Sequence, residues 1–179
     1  IYARIPSVKP NLEDNSLVED WLKSLFKGHT PFIKKWLALY AYTNYMRLPV
    51  LILHGQERGT GKTTFAEVVG KMFHPLLSRE KGEGTFTDYN SSKLLHIDEQ
   101  NTDGKELYTR LKLIGGNDEL TVNIKYGPKY MVRNNLNVII TTNLLKPIHV
   151  ESAELTMDES NNQFFVLEFT EKLKKRYRK

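Results

Sequence analysis

The sequence predicts an α/β fold in which helices flank a central parallel sheet, preceded by a small N-terminal helical element. Short, almost wholly apolar runs alternate with stretches whose apolar residues recur at helical spacing, and such runs are typical of parallel strands buried on both faces. The first run, residues 49–54, leads directly into a glycine-containing loop and then a helical stretch. With 179 residues, 40% of them hydrophobic and 26% charged, the chain can bury one compact core.

Two helices are predicted ahead of the first strand. Residues 1–15 lack periodicity, which is typical of a linker or an extended arm. Helical spacing starts at Ser16, which is placed to cap the helix with Glu19 three residues later, and Gly28 is expected to end it. A second helix is predicted over about residues 31–45. We expect these two helices to form a small bundle in front of the core.

The rest of the chain supplies the other strands and helices. Helical spacing covers residues 63–73 and 104–113, and two alternating runs around Gly127-Pro128 predict a hairpin. The predicted core strands cover residues 93–97, 136–140 and 164–169, and the predicted hairpin strands cover residues 120–125 and 129–133. The expected organisation is an arm and helical element over residues 1–46, a core over residues 47–170 and a basic tail over residues 171–179.

Composition limits the classes of function. The chain has no cysteine, so neither a disulfide framework nor a thiolate metal site is available. No apolar run reaches the length of a membrane span and the N-terminus lacks a signal-peptide layout, so we expect a cytoplasmic protein, in a bacterial or host cell interior, with no membrane partner. Much of the modest net charge of +5 lies in residues 172–179, where a solvated end and a phosphate contact are equally reasonable interpretations. Because the chain opens on Ile1, we expect a piece of a longer polypeptide.

The loop after the first strand predicts a nucleoside triphosphate site. Phosphate oxygens are held by consecutive backbone N–H groups, which a glycine-bearing loop can turn inward without Cβ clashes, and the following helix adds its positive end. Lys62 is expected to reach the β- and γ-phosphates of ATP, and the Thr63 hydroxyl is expected to bind Mg²⁺. Gln56 stands where the usual spacing has glycine, with Gly55 one residue earlier. The predicted ATP-binding residues are Gly55, Gln56, Arg58, Gly59, Thr60, Gly61, Lys62, Thr63 and Thr64.

Acidic and amide side chains follow two later strands. Asp98 and Glu99 end one apolar run, and adjacent carboxylates at the carboxyl edge of a strand project into the same crevice. We assign Asp98 to Mg²⁺ and Glu99 to the general base that activates the attacking water. Asn143 follows another apolar run and is expected to orient that water or sense the γ-phosphate. Each motif alone is also an ordinary strand-end turn. Combined with the loop, they predict ATP hydrolysis with Lys62, Glu99 and Asn143 as catalytic residues.

Over about residues 36–169, the order of these parts resembles that of superfamily 3 helicases, the AAA+-related P-loop motors of viruses, phages and plasmids, particularly their primase-helicase branch. The most distinctive part is the Gly-Gly-x-Asp element of residues 115–118, followed by the hairpin. The resemblance implies an AAA+-like P-loop NTPase core with ATP and Mg²⁺ as cofactors. It implies a DNA helicase that translocates on single-stranded DNA in replication, assembles as a ring, expected to be a hexamer, and belongs with a primase or origin-binding module.

In this family, the hairpin enters the pore of the ring and grips single-stranded nucleic acid. The corresponding DNA-binding residues are Lys125, Tyr126, Lys129 and Arg133, together with Tyr130, a mixture of cations and aromatic rings that suits sequence-independent binding. The alternative is an ordinary exposed hairpin whose edge is protected by lysines.

The chain departs from the family pattern ahead of its last strand. Family members usually carry an arginine there that enters the neighbouring subunit's site, whereas residues 160–163 hold no cation. Arg58 and Arg110 are the other candidates for this role. Two further functions stay open: a non-motor ATP-binding switch or assembly module of the AAA+ type that acts through a protein partner, and an RNA helicase of the same superfamily.

Overall fold

The structure, a computed structural model, describes residues 15–43, 46–72, 77–81, 93–98, 104–123, 129–147 and 163–173. A short 3₁₀ turn, Lys27–His29, joins the first two helices. In chain order the elements are α1 (Ser16–Phe26), α2 (Thr30–Tyr42), β1 (Val50–His54), α3 (Lys62–Lys71), β2 (Leu77–Lys81), β3 (Leu94–Asp98), α4 (Gly104–Gly116), β4 (Glu119–Asn123), β5 (Lys129–Arg133), β6 (Asn137–Thr142) and β7 (Phe164–Glu168).

Five strands form one sheet in the order β2-β3-β6-β1-β7, and every neighbouring pair is parallel. All residues of β1 and β6 are buried, because these strands lie inside the sheet and are covered on both faces. The predicted parallel sheet flanked by helices is therefore confirmed. Parallel strands bring their carboxyl ends to one edge, so the ends of β1, β3 and β6 meet where the glycine-containing loop begins.

Two apolar cores lie on opposite faces of the sheet. Leu51 and Leu53 of β1 face a core that contains residues of α1, α2 and α3. Ile52 points the other way, into a core completed by Leu107 and Leu111 of α4. Because successive side chains of a strand alternate between faces, one buried strand serves both cores. The helices α1 and α2 share the core of the sheet and do not form a separate bundle.

The predicted hairpin is confirmed as the antiparallel pair β4 and β5, which stands apart from the parallel sheet. Its register places Glu119 opposite Arg133 and Asn123 opposite Lys129. The preceding helix α4 runs to Gly116, three residues beyond its predicted end. Within the described parts of the chain, none of the helices has the length and apolar character needed to cross a membrane.

The predicted cap of α1 is wrong. Asn15 takes the N-cap position, Ser16 is already helical, and no side-chain capping hydrogen bond forms at this end within the described residues. Glu19, the expected partner in the capping box, instead directs its carboxylate to two lysines: it pairs with Lys34 of α2 and lies 3.8 Å from the Lys23 ammonium. An ion pair that joins two helices has therefore replaced the local cap.

The chain also leaves α1 one residue earlier than predicted. Lys27, not Gly28, is the residue that reverses the chain, with a φ of 48°. The second helix ends at Tyr42 because the next residue, Thr43, is extended. The edge strand β2 was not predicted from the sequence at all, since four of its five residues are polar.

Candidate functional site

The loop of residues 55–61 joins the end of β1 to the start of α3. The neighbouring strand β6 ends beside it, with Thr142 in register with His54, and β3 brings Asp98 into register with Thr141. The loop, the first turn of α3 and the end of β3 thus come together at the carboxyl edge of the sheet.

The loop requires glycine at two points where other atoms approach closely. Gly55 has a φ of 145°, and a Cβ built there would lie 2.2 Å from the carbonyl oxygen of Phe169. Gly61 has a φ of 94°, and its Cβ would lie 2.7 Å from Cδ2 of Leu25. A side chain at Gly55 would therefore meet backbone strain and a clash with backbone atoms, whereas one at Gly61 would meet backbone strain and displace the Leu25 side chain. Gly59 also has a positive φ, 73°, but nothing lies within 4 Å of the corresponding Cβ position.

A segment after β7, residues 169–173, lies along this loop and is called the strap below. The Phe169 N–H donates to the His54 carbonyl at 2.7 Å, and the Leu173 N–H donates to the Gly59 carbonyl at 3.1 Å. The buried Leu173 side chain also packs beside Gly61. The strap therefore fixes the loop from outside, through backbone hydrogen bonds at both of its ends.

Lys62 opens α3 and is almost fully buried. Its ammonium donates to the carbonyl oxygen of Gly55 at 2.7 Å and to that of Glu57 at 3.2 Å, so the cation lies within the curve of the loop. Burial lowers the pKa of Lys62, and the negative charge of Asp98 partly opposes this. A buried cation beside a glycine-containing loop at a helix N-terminus suits a polyanionic ligand.

Asp98 is held by hydroxyl groups from two elements. Thr63 of α3 donates to its Oδ1 at 3.4 Å, and Thr141 of β6 forms a short hydrogen bond to the same oxygen. His96 in turn lies 2.9 Å from the Thr141 hydroxyl through its Nε2. Thr63 and Asp98, the two residues predicted to bind Mg²⁺, are therefore brought together by the fold. Hydroxyl and carboxylate oxygens are ligands that Mg²⁺ prefers, usually completed by water and substrate phosphate.

The other predicted ATP-binding residues differ in exposure. Gln56, Arg58 and Thr64 are exposed, whereas Thr60 is buried in the loop. Asn143 is exposed one residue beyond the end of β6, at the same edge of the sheet as the loop. The predicted general base Glu99 lies outside the described residues.

His54 is a buried titratable group directly before the loop. Burial lowers its pKa, the Lys62 charge lowers it further, and Glu168 and a backbone group of Leu144 act in the opposite direction. Among the described residues, its Nδ1 has no hydrogen-bond partner. The neutral imidazole is therefore the form that this position favours.

The hairpin separates the predicted DNA-binding residues by face. Lys129 and Arg133 are exposed and share one face of β5 with Met131, whereas Tyr130 points to the opposite face. The predicted cations and this aromatic ring therefore do not form one surface. Lys125 and Tyr126 lie outside the described residues.

The root of the hairpin is fastened to the sheet by Arg47. Its guanidinium donates to the carbonyl oxygens of Gly115 and Asn117, each at 2.8 Å, and to the Asp118 carboxylate at 2.6 Å. Asn134 completes the root, because its amide also donates to the Asn117 carbonyl at 2.8 Å. The Gly-Gly-x-Asp element therefore accepts three hydrogen bonds from the side chain of Arg47, which lies just before β1.

Comparison with known proteins places the chain in a family. Residues 53–162 match a protein family described as "Family of unknown function (DUF5906)". The chain belongs to the DUF5906 family. This DUF5906 chain is also similar to a DNA primase-polymerase of Nitratiruptor phage NrS-1, with 28% identity over 180 residues that cover 93% of this chain and 24% of the relative. It therefore spans about a quarter of the length of that relative.

Solved structures of the NrS-1 C-terminal region share the fold of this DUF5906 chain. Two apo structures superpose with TM-scores of 0.73 and 0.75 at 24% identity, and the match covers 90% and 95% of this chain. It covers 40% and 41% of the solved chains. At this level of identity the likeness establishes the fold alone.

Sequence reasoning missed several residues that the DUF5906 fold brings to the site. His96 carries a usable signal, because a polar residue two positions before Asp98 in a strand lies on the same face as that carboxylate. Thr141 lies just after the predicted strand of residues 136–140, and no sequence pattern marks it as a partner of Asp98. Arg47 and Leu173 carry no local signal, since their partners lie far away in the sequence.

Proposed function

We propose that this chain is an AAA+-like P-loop NTPase core that binds and hydrolyses ATP with Mg²⁺. The observation that carries the proposal is the convergence of three groups at one edge of the sheet. The buried Lys62 ammonium lies inside the glycine-containing loop. The hydroxyl of the next residue in α3, Thr63, lies 3.4 Å from the Asp98 carboxylate at the end of β3. A cation for phosphate and two hard oxygens for a divalent metal are what a metal-nucleotide site needs.

Each group has a defined part in this proposal. The loop N–H groups and the start of α3 hold phosphate oxygens, and Lys62 exchanges its two carbonyl acceptors for the β- and γ-phosphates. Thr63 and Asp98 would hold Mg²⁺, which would supply positive charge against the charge that develops on the phosphates. Glu99 follows Asp98 directly and acts as the general base, while Asn143 orients the attacking water.

We further propose that the energy of hydrolysis moves this core along single-stranded DNA during replication, as in a superfamily 3 helicase. Similarity to a phage DNA primase-polymerase supports a role in DNA replication. The exposed face of Lys129 and Arg133 supports contact with a phosphate backbone. Assembly as a ring, expected to be a hexamer, and partnership with a primase or origin-binding module belong to the same proposal.

The test is ATP hydrolysis with and without single-stranded DNA. The expected result is Mg²⁺-dependent hydrolysis that the strand stimulates, abolished by Lys62→Ala and by Asp98→Asn. Lys71→Ala serves as a matched control, because it removes an exposed lysine from the other end of α3. If the wild-type protein binds no ATP, or if Lys62→Ala and Lys71→Ala behave alike, the proposed site is wrong.

The contribution of the hairpin is tested separately. The double variant Lys129→Ala/Arg133→Ala is expected to weaken binding of a labelled single strand and to reduce its salt dependence, because two phosphate contacts are lost. Lys35→Ala/Lys71→Ala removes the same charge from exposed helical positions and is expected to bind normally. Equal losses in both pairs would mean that only net charge matters. RNA strands run in parallel distinguish the RNA helicase.

A non-motor switch of the AAA+ type is the second candidate. It is favoured by the absence of a cation in residues 160–163, where the helicase family usually has its trans-acting arginine. Such a module would bind ATP tightly, hydrolyse it negligibly, and respond to neither DNA nor RNA. The same assays therefore separate the two functions.

A further inference from the structure

We propose that Thr141 is a positioning residue that orients the Asp98 carboxylate for metal binding, and that His96 supports it from behind. This inference rests on the proposed nucleotide site. All three side chains lie on the face of the sheet that α3 covers: His96 and Asp98 are two residues apart in β3, and Thr141 is the register partner of Asp98 in β6. They form one continuous chain of hydrogen bonds through the sheet.

The direction of these hydrogen bonds follows from the groups themselves. An ionised carboxylate accepts only, so the single hydroxyl proton of Thr141 goes to Asp98. The Thr141 oxygen can then only accept from His96, which makes Nε2 of His96 the donor. The chain of hydrogen bonds therefore runs from His96 through Thr141 to Asp98, and each donor points toward the Asp98 carboxylate.

The arrangement fixes a side-chain torsion that is otherwise loose. The χ2 angle of aspartate is broad and roughly two-fold, so packing alone does not decide which carboxylate oxygen faces the site. The hydroxyls of Thr141 and Thr63 both donate to Oδ1, and Thr141 makes the closer of the two contacts. Because Thr63 is itself proposed to bind Mg²⁺, Thr141 is the contact that can hold the carboxylate when Thr63 turns to the metal.

The hydrogen-bonded side chains Thr141 and His96 are buried, so they are not an ordinary polar cluster on the surface. Thr141 is 1% exposed and His96 is 2% exposed, in strands whose other residues are mostly aliphatic. Valine at 141 and leucine at 96 would satisfy the packing of such strands without any polar group to pair. The polar side chains of His96 and Thr141 instead form a hydrogen-bonded line that leads to Asp98.

The experiment measures the Mg²⁺ concentration for half-maximal ATP hydrolysis, and Mn²⁺ binding in the presence of ADP by electron paramagnetic resonance. Removing a partner that orients a metal ligand typically costs about 10- to 100-fold in metal affinity. Thr141→Val is expected to raise the half-maximal Mg²⁺ concentration and the Mn²⁺ dissociation constant by about 10- to 100-fold, and to leave ATP binding without metal unchanged. Thr141→Ser, which keeps the hydroxyl, is expected to restore both. His96→Leu should give a smaller loss than Thr141→Val, and His96→Gln, which retains a donor, should give less still.

Thr30→Val is the matched control, because it removes another buried threonine hydroxyl, one that donates to the Lys27 carbonyl at 2.7 Å and not to the Asp98 carboxylate. It is expected to lower thermal stability like Thr141→Val without changing the metal dependence. The inference is overturned if Thr141→Val leaves the Mg²⁺ dependence unchanged, or if the serine variant fails to rescue it while stability is regained. If the wild-type protein binds no nucleotide, it is the proposed function that fails, a result that these variants do not affect.

Discussion

Substitution of Gly55 by alanine tests whether the strap dictates the conformation of the loop. The new Cβ would lie 2.2 Å from the Phe169 carbonyl oxygen and 3.0 Å from its carbon, and these are backbone atoms that cannot rotate away. Relief requires the strap to move, which breaks the 2.7 Å hydrogen bond from the Phe169 N–H to the His54 carbonyl.

The magnitude follows from two contributions. A non-glycine residue in a sparsely populated backbone region costs about 1 to 3 kcal/mol. Loss of one backbone hydrogen bond adds about 1 kcal/mol. The free energy of unfolding should therefore fall by about 2 to 4 kcal/mol, and because a domain of this size loses roughly 2 to 4 °C in Tm per kcal/mol, Tm should fall by roughly 5 to 15 °C.

The assay is thermal and urea unfolding followed by circular dichroism, with Gly59→Ala as the control. Gly59 also has a positive φ, yet its Cβ would meet nothing within 4 Å, so only the conformational cost of about 1 to 2 kcal/mol applies. The Gly55 variant should lose about twice as much stability as the control. Equal losses in the two variants would refute the close approach of the strap.

Three further perturbations test other parts of the structure. Arg47→Met should reduce the free energy of unfolding by about 1 to 3 kcal/mol and speed amide hydrogen exchange across the hairpin more than in β1, because three hydrogen bonds to the hairpin root are lost; uniform exchange changes would argue against the root. Trp36→Phe should cost about 1 to 3 kcal/mol in urea unfolding, since the indole N–H donates to the Pro49 carbonyl at 2.9 Å, whereas Tyr42→Phe at an exposed position should cost nothing measurable. The pKa of His54 is lowered by burial, so its contribution to stability is complete above the usual histidine pKa of about 6.5 and is lost as the pH falls through the lower, folded-state pKa. The difference in unfolding free energy between the wild type and His54→Gln should therefore shift against the wild type below that pH, and a pH-independent difference would contradict the assignment.

The elements that the sequence predicted well are those whose residues are all buried in apolar surroundings. The strands β1 and β6 are buried on both faces, so their apolar runs were sufficient to locate them. The edge strand β2 has a neighbour on one side only within the described sheet, and its polar composition left no such signal. Predictions from local sequence failed where a residue distant in the sequence competes. Glu19 pairs with Lys34 instead of capping α1. The helix α4 continues to Gly116, where Arg47 donates to the neighbouring Gly115 carbonyl.

The candidate site shows the same division. The loop residues and Asp98 were named from short motifs whose spacing is typical of phosphate and metal binding, and the fold brings them together, while their binding role stays a prediction. The contacts that hold these groups in place depend on strand register and on the path of the chain after β7. Thr141 meets Asp98 only because β3 and β6 are neighbours in one particular register, which no local pattern encodes.

The strap also determines what a probe on this protein would report. Leu173 is hydrogen-bonded to the loop at Gly59, and Lys179 follows it by six positions in the sequence. Fully extended, six residues span at most about 22 Å. A fluorophore attached at Lys179 would therefore stay within energy-transfer range of a labelled nucleotide at the proposed site.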